Sequence, residues 1–265
     1  GVGIDPSGRL IVSDPGNDRI SWFDKDGEYL GSSPRAVSGV LIPWIGGMLP
    51  TGQLLEFGFT RPEEREGADV GSVREYFPVV YDPDQVSADT FPHLSFRFEM
   101  VGQARLPFSP SLHFLVDPFG FIWTAVSTDR TLEKRTLDGR PVSTIALPKY
   151  EPEAVTDQET LDLVREYNGF GYPLGAGDVP REKPTIARVV AADDGKILVF
   201  PRESGYPVGS QFDVFSSDGT FISRVHLPVT LLTTPSPVLR NGSLFGVVLG
   251  EFDVPIVTRL DFGEH

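Results

Sequence analysis

A set of aspartates stands at the ends of short apolar runs, where carboxylates could bind a hard cation. They are Asp5, Asp14, Asp24, Asp117, Asp193 and Asp218. Asp14 and Asn17 offer the oxygen ligands that Ca²⁺ prefers. The positions that correspond to Asp14 in later repeats are apolar, namely Phe57 or Gly58, Ala125 and Phe200. A calcium site needs oxygens from several elements at once, so we expect these aspartates to cap turns instead.

The histidines offer nitrogen ligands or general bases, but their spacing fits neither use. They are His93, His113, His226 and His265. No HxH or HExxH pattern brings two imidazoles onto one metal. The chain has no G-x-S-x-G motif, and Gly169–Gly177 lacks the Lys-Ser/Thr that completes a phosphate-binding loop. We therefore expect no catalytic, metal or cofactor site among these residues.

The charge balance argues against several classes of partner. The chain has 265 residues with 37 Asp or Glu and 23 Lys or Arg, which gives a formal net charge of −14. An acidic surface repels the phosphates of nucleic acids and of anionic lipids. The absence of cysteine removes disulfides, thiolate catalysis and cysteine-ligated zinc. No apolar run approaches the roughly 18 residues that cross a bilayer, so we expect no membrane span and no nucleic-acid partner.

The stretch Gly1–Leu30 shows the structural pattern that must position these residues. Its apolar runs are Val2–Ile4, Leu10–Val12 and Ile20–Phe23, and a further run, Glu28–Gly31, follows. The runs are too short for helices and are rich in β-branched and aromatic residues. Asp, Pro and Gly between them favour tight turns. The pattern predicts a four-stranded antiparallel meander.

The meander recurs along the chain as an apolar run, a turn with glycine and a second apolar run. The turn glycines are Gly8, Gly52, Gly120, Gly195 and Gly242. Four-stranded units cannot bury both faces alone, whereas radial stacking buries them, as in a β-propeller. We predict one domain over residues 1–265, with blades at 1–33, 38–94, 112–148, 187–228 and 236–262. The last blade lacks its outer strand. Because the chain begins with Gly inside a strand pattern, we expect an upstream segment that could supply a strand or a further blade.

Two insertions interrupt the repeats. The first, Thr60–Ser72, is highly charged and predicts a solvated loop. The second covers residues 149–184 and contains TDQETLDLVREYNG. Thr156 and Glu159 form a capping box at the start of this pattern, and Asn168-Gly169 predicts its end. The apolar stripe between them consists of Leu161, Leu163, Val164 and Tyr167. We expect one helix of about three turns here.

Aromatic residues and a proline are concentrated in the same insertion: Tyr150, Tyr167, Phe170, Tyr172 and Pro173. Loops rich in tyrosine and glycine can form protein-contact surfaces. The same side chains could equally fold the insertion onto the rim of a blade. Sequence leaves both readings open, and we predict that the insertion contacts another chain.

The stretch DPSGRLIVSDPGNDRISWFDKDGEYL resembles an NHL-type repeat. The likeness lies in its Asp-Pro-x-Gly turn, its Val-x-Asp and Asn-x-Arg-Ile steps, and its Phe-Asp-x-Asp-Gly turn. The remaining units resemble divergent bacterial six-bladed propellers related to that family. The resemblance implies an all-β propeller of six-bladed type, with about five four-stranded antiparallel blades in this chain and one helical insertion.

The same resemblance implies a range of functions. Propellers of this kind are mostly binding or scaffolding modules, while some related six-bladed propellers are lactonases with Ca²⁺ or lyases with Zn²⁺ at the axis. Since fold does not choose among these and the chain offers no coherent catalytic set, we expect a non-catalytic protein-binding propeller. It would be an accessory, extrinsic subunit of a larger assembly, such as a respiratory or photosynthetic membrane complex, in the periplasm or otherwise outside the cytoplasm. A metal-dependent lactonase-type hydrolase and a small-ligand or glycan binder remain alternatives.

Overall fold

The computed structural model describes residues 2–5, 7–14, 16–35, 47–49, 51–59, 63–64, 72–82, 88–90, 94–102, 104–203, 208–232 and 235–262. The chain forms two compact units, Gly1–Glu63 with Arg74–Arg97 and Glu64–Val73 with Phe98–His265. No helix in the described ranges is long and apolar enough to cross a membrane.

The first unit begins with the predicted meander. Its strands pair antiparallel in the order β1-β2-β3-β4. They are β1 Val2–Ile4, β2 Leu10–Asp14, β3 Arg19–Phe23 and β4 Tyr29–Pro34. Ile11 and Ile20 on the two middle strands are fully buried, and they pack in one cluster with Leu54 and Val79. The edge strands β1 and β4 expose most of their side chains.

The second stretch of strands follows the sequence pattern less regularly. The strands are β5 Gly47–Met48, β6 Leu54–Phe59, β7 Glu63–Glu64, β8 Ser72–Tyr81, β9 Ala88–Thr90, β10 Phe96–Val101 and β11 Ala104–Arg105. Strand β6 pairs with β5 and β8, β8 also pairs with β9, and β10 pairs with β11. The predicted loop Thr60–Ser72 lies mostly outside the described residues.

The second unit contains another complete meander, in the order β12-β13-β14-β15. Its strands are β12 Leu112–Val116, β13 Ile122–Val126, β14 Thr131–Arg135 and β15 Pro141–Ala146. Trp123 on β13 is fully buried and packs in a cluster with Ile186, Ile197 and Phe215 of the strands that follow. The helix α1 Asp157–Gly169 lies between the two groups of strands in the sequence.

The remaining strands form one sheet in which the fourth and fifth predicted repeats are joined. They are β16 Ile186–Ala191, β17 Ile197–Pro201, β18 Val208–Phe215, β19 Phe221–Leu232, β20 Val238–Arg240, β21 Ser243–Leu249 and β22 Pro255–Asp261. The order is β16-β17-β18-β19-β21-β20, and β22 pairs with β21. The join is the pairing of Leu232 with Val247. A 3₁₀ turn, Glu251–Asp253, connects β21 to β22.

The hairpin turns explain why glycine recurs at fixed points. In the turns that begin at Asp5, Asp24 and Asp117, one carboxylate oxygen accepts hydrogen bonds from the backbone N–H groups two and four residues later. The fourth residue of each turn must adopt a left-handed backbone, with φ between 82° and 88°, and is glycine. The aspartate and glycine residues of these turns therefore determine where the adjoining strands end.

Candidate functional site

The helix of the insertion forms for the local reasons that its sequence indicates. The Thr156 hydroxyl accepts from Glu159 N at 3.1 Å, and Thr156 N donates to Glu159 Oε2 at 2.9 Å, which completes the capping box. The helix ends at Gly169, as the Asn168-Gly169 pair predicts. Gly171, with φ 79°, is the left-handed residue, and Tyr172 N donates to Tyr167 O at 2.9 Å in a Schellman-type end.

One face of α1 packs inward on Val101 at the end of β10, on Leu106 and on the loop that follows the helix. Leu163, Val164 and Tyr167 join a cluster around four buried residues, which are Val101, Leu106, Leu174 and Val179. Leu161, predicted for the same stripe, is exposed. At 100° per residue it lies about 160° around the helix axis from Leu163 and about 60° from Val164, so it stands at the solvent edge of the stripe.

A buried ammonium group ties the start of the helix to the end of the insertion. Lys183 is buried, and its Nζ donates to Glu159 Oε1 at 2.6 Å and to Glu153 Oε1 at 3.0 Å. Burial alone lowers the pKa of Lys183, but the hydrogen bonds to the two carboxylates outweigh it and the pKa is raised. The same bond from Lys183 lowers the pKa of Glu159. The insertion is therefore a folded element held by charge as well as by apolar contact.

Two of the predicted contact tyrosines anchor this packing. The Tyr167 hydroxyl donates to Arg105 O at 2.9 Å, and its ring lies 6.5 Å from that of Tyr172. The Tyr172 ring in turn covers Gly102, where a Cβ would lie 2.2 Å from Tyr172 Cδ1 and where φ is 60°. Only glycine fits both the backbone and the space. These rings bind the insertion to the hairpin of β10 and β11.

Tyr150 makes the third intramolecular anchor. Its hydroxyl donates to Asp213 Oδ2 at 2.6 Å, and Arg224 donates to both oxygens of the same carboxylate at 2.7 and 2.9 Å. Asp213 is 0% exposed, so a bidentate guanidinium and a phenol compensate its charge. Burial, followed by the bond to Asp213, raises the pKa of Tyr150 well above its usual range. This phenol is therefore protonated at physiological pH and donates the hydrogen bond to Asp213.

Only Phe170 and Pro173 of the five predicted contact residues are exposed. The structure therefore divides that set by position: Tyr150, Tyr167 and Tyr172 face inward, and the residues just after the helix face outward. The reading that the aromatic residues fold the insertion onto the strands holds for the three tyrosines, because each has a described intramolecular contact.

Among the described residues, the largest concentration of outward apolar side chains lies elsewhere, in the hairpin of β21 and β22. We call residues Leu249–Val257 the Phe252 hairpin. Its exposed apolar side chains are Leu249, Phe252, Val254, Ile256 and Val257. Phe252, at the tip, is 88% exposed and has the left-handed φ of 61°, which a bulky side chain adopts at a cost. The exposed carboxylates of Glu251 and Asp253 flank it.

The sequence analysis assigned this hairpin to the last blade, because EFDVPIVTRLDF fits the end of a blade, and missed its exposed apolar surface. The sequence did contain a signal. Phe252, Val254 and Ile256 alternate with polar or proline residues and share one face, whereas Val257 lies on the other, so both faces carry apolar residues. An edge strand with one buried face should show apolar residues on that face alone.

The aspartates that the sequence offered as cation ligands have structural partners. Asp117 is fully buried and its Oδ2 accepts from Trp123 Nε1 at 2.9 Å, while Asp14 accepts from Asn17 Nδ2 and Arg19 Nε. Asp193 accepts from Asn241 N across to the next hairpin. Asp218 accepts from Thr220 N within its own turn. In the described part of the chain no three His, Asp or Glu side chains are grouped so that they could hold a metal ion.

The surroundings of His113 strongly lower its pKa. Burial, with help from the charges of Arg188, Arg105 and Arg202, lowers its pKa to about 3. Its Nε2 lies 3.4 Å from Ile186 O. This imidazole is neutral at physiological pH and is far from the pKa near 7 that suits a general acid or base. His226 lies on the exposed side of β19, and His93 and His265 are outside the described residues.

Comparison with known proteins identifies the fold. No family model matches the chain, and no curated protein matches its sequence. Among solved structures, a member of the DUF4221 family from Bacteroides vulgatus is 8% identical with a TM-score of 0.54, over 99% of this chain and 78% of that one. A streptogramin B lyase is 9% identical with a TM-score of 0.40, over 100% and 68%. A gluconolactonase from Xanthomonas campestris is 11% identical with a TM-score of 0.41, over 93% and 67%.

These neighbours are β-propeller proteins. Together with the four-stranded antiparallel meanders and the single described α-helix, the likeness at a TM-score of 0.54 confirms the predicted all-β propeller class with a helical insertion. At identities this low the likeness concerns the fold alone. The NHL-type assignment within the propellers remains an interpretation of the sequence.

Proposed function

We propose that this chain is a non-catalytic protein-binding propeller whose principal contact with its partner is the Phe252 hairpin. One observation carries the proposal: an almost fully exposed aromatic side chain at the tip of a hairpin, on a backbone that disfavours it, next to further exposed apolar residues. When a partner buries such aromatic side chains, they supply much of the binding energy of the interface.

The energetics of the tip favour binding over an isolated exposed state. A Phe side chain buries on the order of 150–250 Å² in an interface, which at about 25 cal/mol per Å² contributes several kcal/mol. The left-handed backbone at Phe252 costs the free chain about 1 kcal/mol. The conformation aims the ring outward before any partner arrives, so little ordering of the hairpin is needed on binding.

The charges at the tip indicate the chemistry of the partner. Glu251 and Asp253 are exposed on either side of Phe252, and the whole chain carries a net charge of −14. A complementary surface is an apolar pocket bordered by lysine or arginine. Such charges at the rim act mainly on the association rate, so binding should slow as salt is added.

The wider setting of this function is part of the same proposal. The chain would act as an accessory, extrinsic subunit of a larger assembly outside the cytoplasm, with a respiratory or photosynthetic membrane complex as one candidate. The exposed Phe170 and Pro173 would form a second, smaller contact. What supports this is the concentration of exposed apolar side chains at these two sites.

Photo-crosslinking tests the proposal. Benzoylphenylalanine replaces Phe252 in one sample, Phe170 in a second and Phe119 in a third, and cross-linked proteins from native membrane and periplasmic fractions are identified by mass spectrometry. Phe119 is the matched control, because it is also an exposed phenylalanine in a hairpin turn of the second unit. We expect a protein that cross-links at 252 and not at 119, and whose capture by the unmodified chain falls more than tenfold in Phe252→Ala. The same cross-linked proteins at 252 and 119 would overturn the proposal.

A further inference from the structure

The backbone of β22 leaves one of its two edges without a described neighbour. Phe262 N donates to Gly242 O at 3.1 Å and Gly250 N donates to Val254 O at 2.8 Å, on either side of the β21–β22 ladder. In an antiparallel pair, residues that exchange hydrogen bonds alternate with residues that do not. The register pairs Val248 with Ile256 and Leu244 with Leu260, so the even-numbered residues of β22 bond to β21.

The odd-numbered residues of β22 therefore direct their N–H and C=O groups away from β21. Val257, Arg259 and Asp261 supply both groups, and Pro255 supplies a carbonyl only. Within the described ranges β22 pairs with β21 and with no other strand. Val257 is also 76% exposed. This edge combines hydrogen-bonding groups that have no described strand partner with apolar side chains, which is the combination that templates strand addition.

In the two complete meanders of the same chain, a fourth strand pairs with the outer edge of the third strand. In the first, the third strand β3 is covered by β4, and in the other, β14 is covered by β15. Both covering strands run antiparallel and pair over several residues. Strand β22 is the third strand of β20-β21-β22 and has no such neighbour in the described chain. The element that fits the edge is one extended, antiparallel strand.

We propose that the partner docked on the Phe252 hairpin adds an extended segment to the edge of β22 by antiparallel pairing. This inference rests on the proposed function and goes beyond it, because it specifies the backbone conformation of the partner. An antiparallel neighbour has its carboxyl end beside Pro255, next to Glu251 and Asp253. The segment is therefore a short run of β-branched or other apolar residues, which face Val257, followed by lysine or arginine.

Single backbone amides test the pairing. The probe is the partner that cross-links at position 252. Val257→Pro deletes one outward N–H without removing a bond to β21, and Val257→Thr is the matched control that keeps the N–H and the branched shape. We expect Val257→Pro to weaken partner binding more than tenfold and Val257→Thr less than threefold. Amide exchange at Val257 and Arg259 of the unmodified chain should slow at least tenfold on binding, while Thr258, already bonded to β21, should change little.

The outcomes separate the two proposals. Loss of binding in Phe252→Ala, with unchanged exchange at Val257 and Arg259, would leave the docking site standing and overturn strand addition. Exchange that is already slow without partner and depends on protein concentration would assign the edge to a second copy of this chain. Slow exchange independent of concentration would assign it to the protein's own chain. Either result overturns the inference, and so does the absence of any partner at position 252.

Discussion

The insertion 149–184 and the Phe252 hairpin both present aromatic residues, yet they use them in opposite ways. In the insertion the tyrosines turn inward, because each phenol or ring has a defined partner, such as Arg105 O for Tyr167. In the hairpin Phe252 has no polar group to satisfy, and its strained backbone directs the ring outward. Aromatic content alone therefore does not mark an interface, because the hydroxyl group of tyrosine suits it to anchoring within a fold.

Removal of Asp213, which accepts the hydrogen bond of Tyr150, should have the largest effect on stability. Asp213→Ala would leave the Tyr150 phenol and the Arg224 guanidinium without their buried acceptor. Because Arg224 is partly exposed and can rehydrate, we expect a loss of about 2–3 kcal/mol in the free energy of unfolding, measured by denaturant titration. Asp162→Ala, at an exposed helix position, is the control and should change it by less than about 0.5 kcal/mol. Equal effects from the two variants would contradict the role of Asp213.

A smaller change tests whether the insertion is a docked element. Gly102→Ala places a Cβ against the Tyr172 ring on a left-handed backbone. We expect a loss of about 1–2 kcal/mol and faster amide exchange in α1. Gly177→Ala is the matched control, because nothing lies within 4 Å of a Cβ there. If α1 exchanges at the same rate in both variants, the contact of Tyr172 with Gly102 does not hold the insertion.

The hairpin should respond in the opposite direction. Phe252→Asn substitutes a residue that tolerates the left-handed backbone and removes an exposed apolar ring. We expect the free energy of unfolding to rise by about 0.5 kcal/mol while partner capture falls more than tenfold. The two measurements are thermal unfolding and the capture assay on one preparation. A destabilised Phe252→Asn would mean that the ring packs within the chain, as the tyrosines of the insertion do.

The smallest expected effect is a pH dependence confined to the insertion. Lys183 lowers the pKa of Glu159 below the ordinary value of 4.5, so the stabilisation from this pair is present above that value and is lost as the pH falls through the folded pKa. The raised pKa of Lys183 places the upper limit above its ordinary 10.5. Because the carboxylates are partly exposed, we expect a change of about 0.5 kcal/mol in the opening of α1.

Protection factors for α1 amides at pH 6 and below pH 4 measure this change. Lys183→Met is the control, because it removes the cation and should reduce the difference between the two conditions, while the hydrogen bonds from Thr156 to Glu159 remain. Protection that falls equally in Lys183→Met would show that the pairing with Lys183 does not cause the pH dependence.

The features that could be predicted from the sequence are those with local causes. The turns at Asp5, Asp24 and Asp117 and the start of α1 at Thr156 depend on hydrogen bonds between residues two to four apart, so residue types at short spacing suffice. The end of α1 at Gly169 also agrees with the prediction from Asn168-Gly169, and the left-handed residue that follows it is Gly171.

What faces inward and what faces outward was decided by the tertiary structure. Tyr167 finds its acceptor 62 residues away at Arg105, and Tyr150 finds Asp213 63 residues away. No pattern within either segment encodes these partners. By itself the sequence determined the meanders, their turns and the helix, because these follow from local hydrogen bonds and alternation. Only the packing of distant strands decided that the tyrosines serve the fold and that Phe252 stays exposed, because burial depends on which surfaces meet.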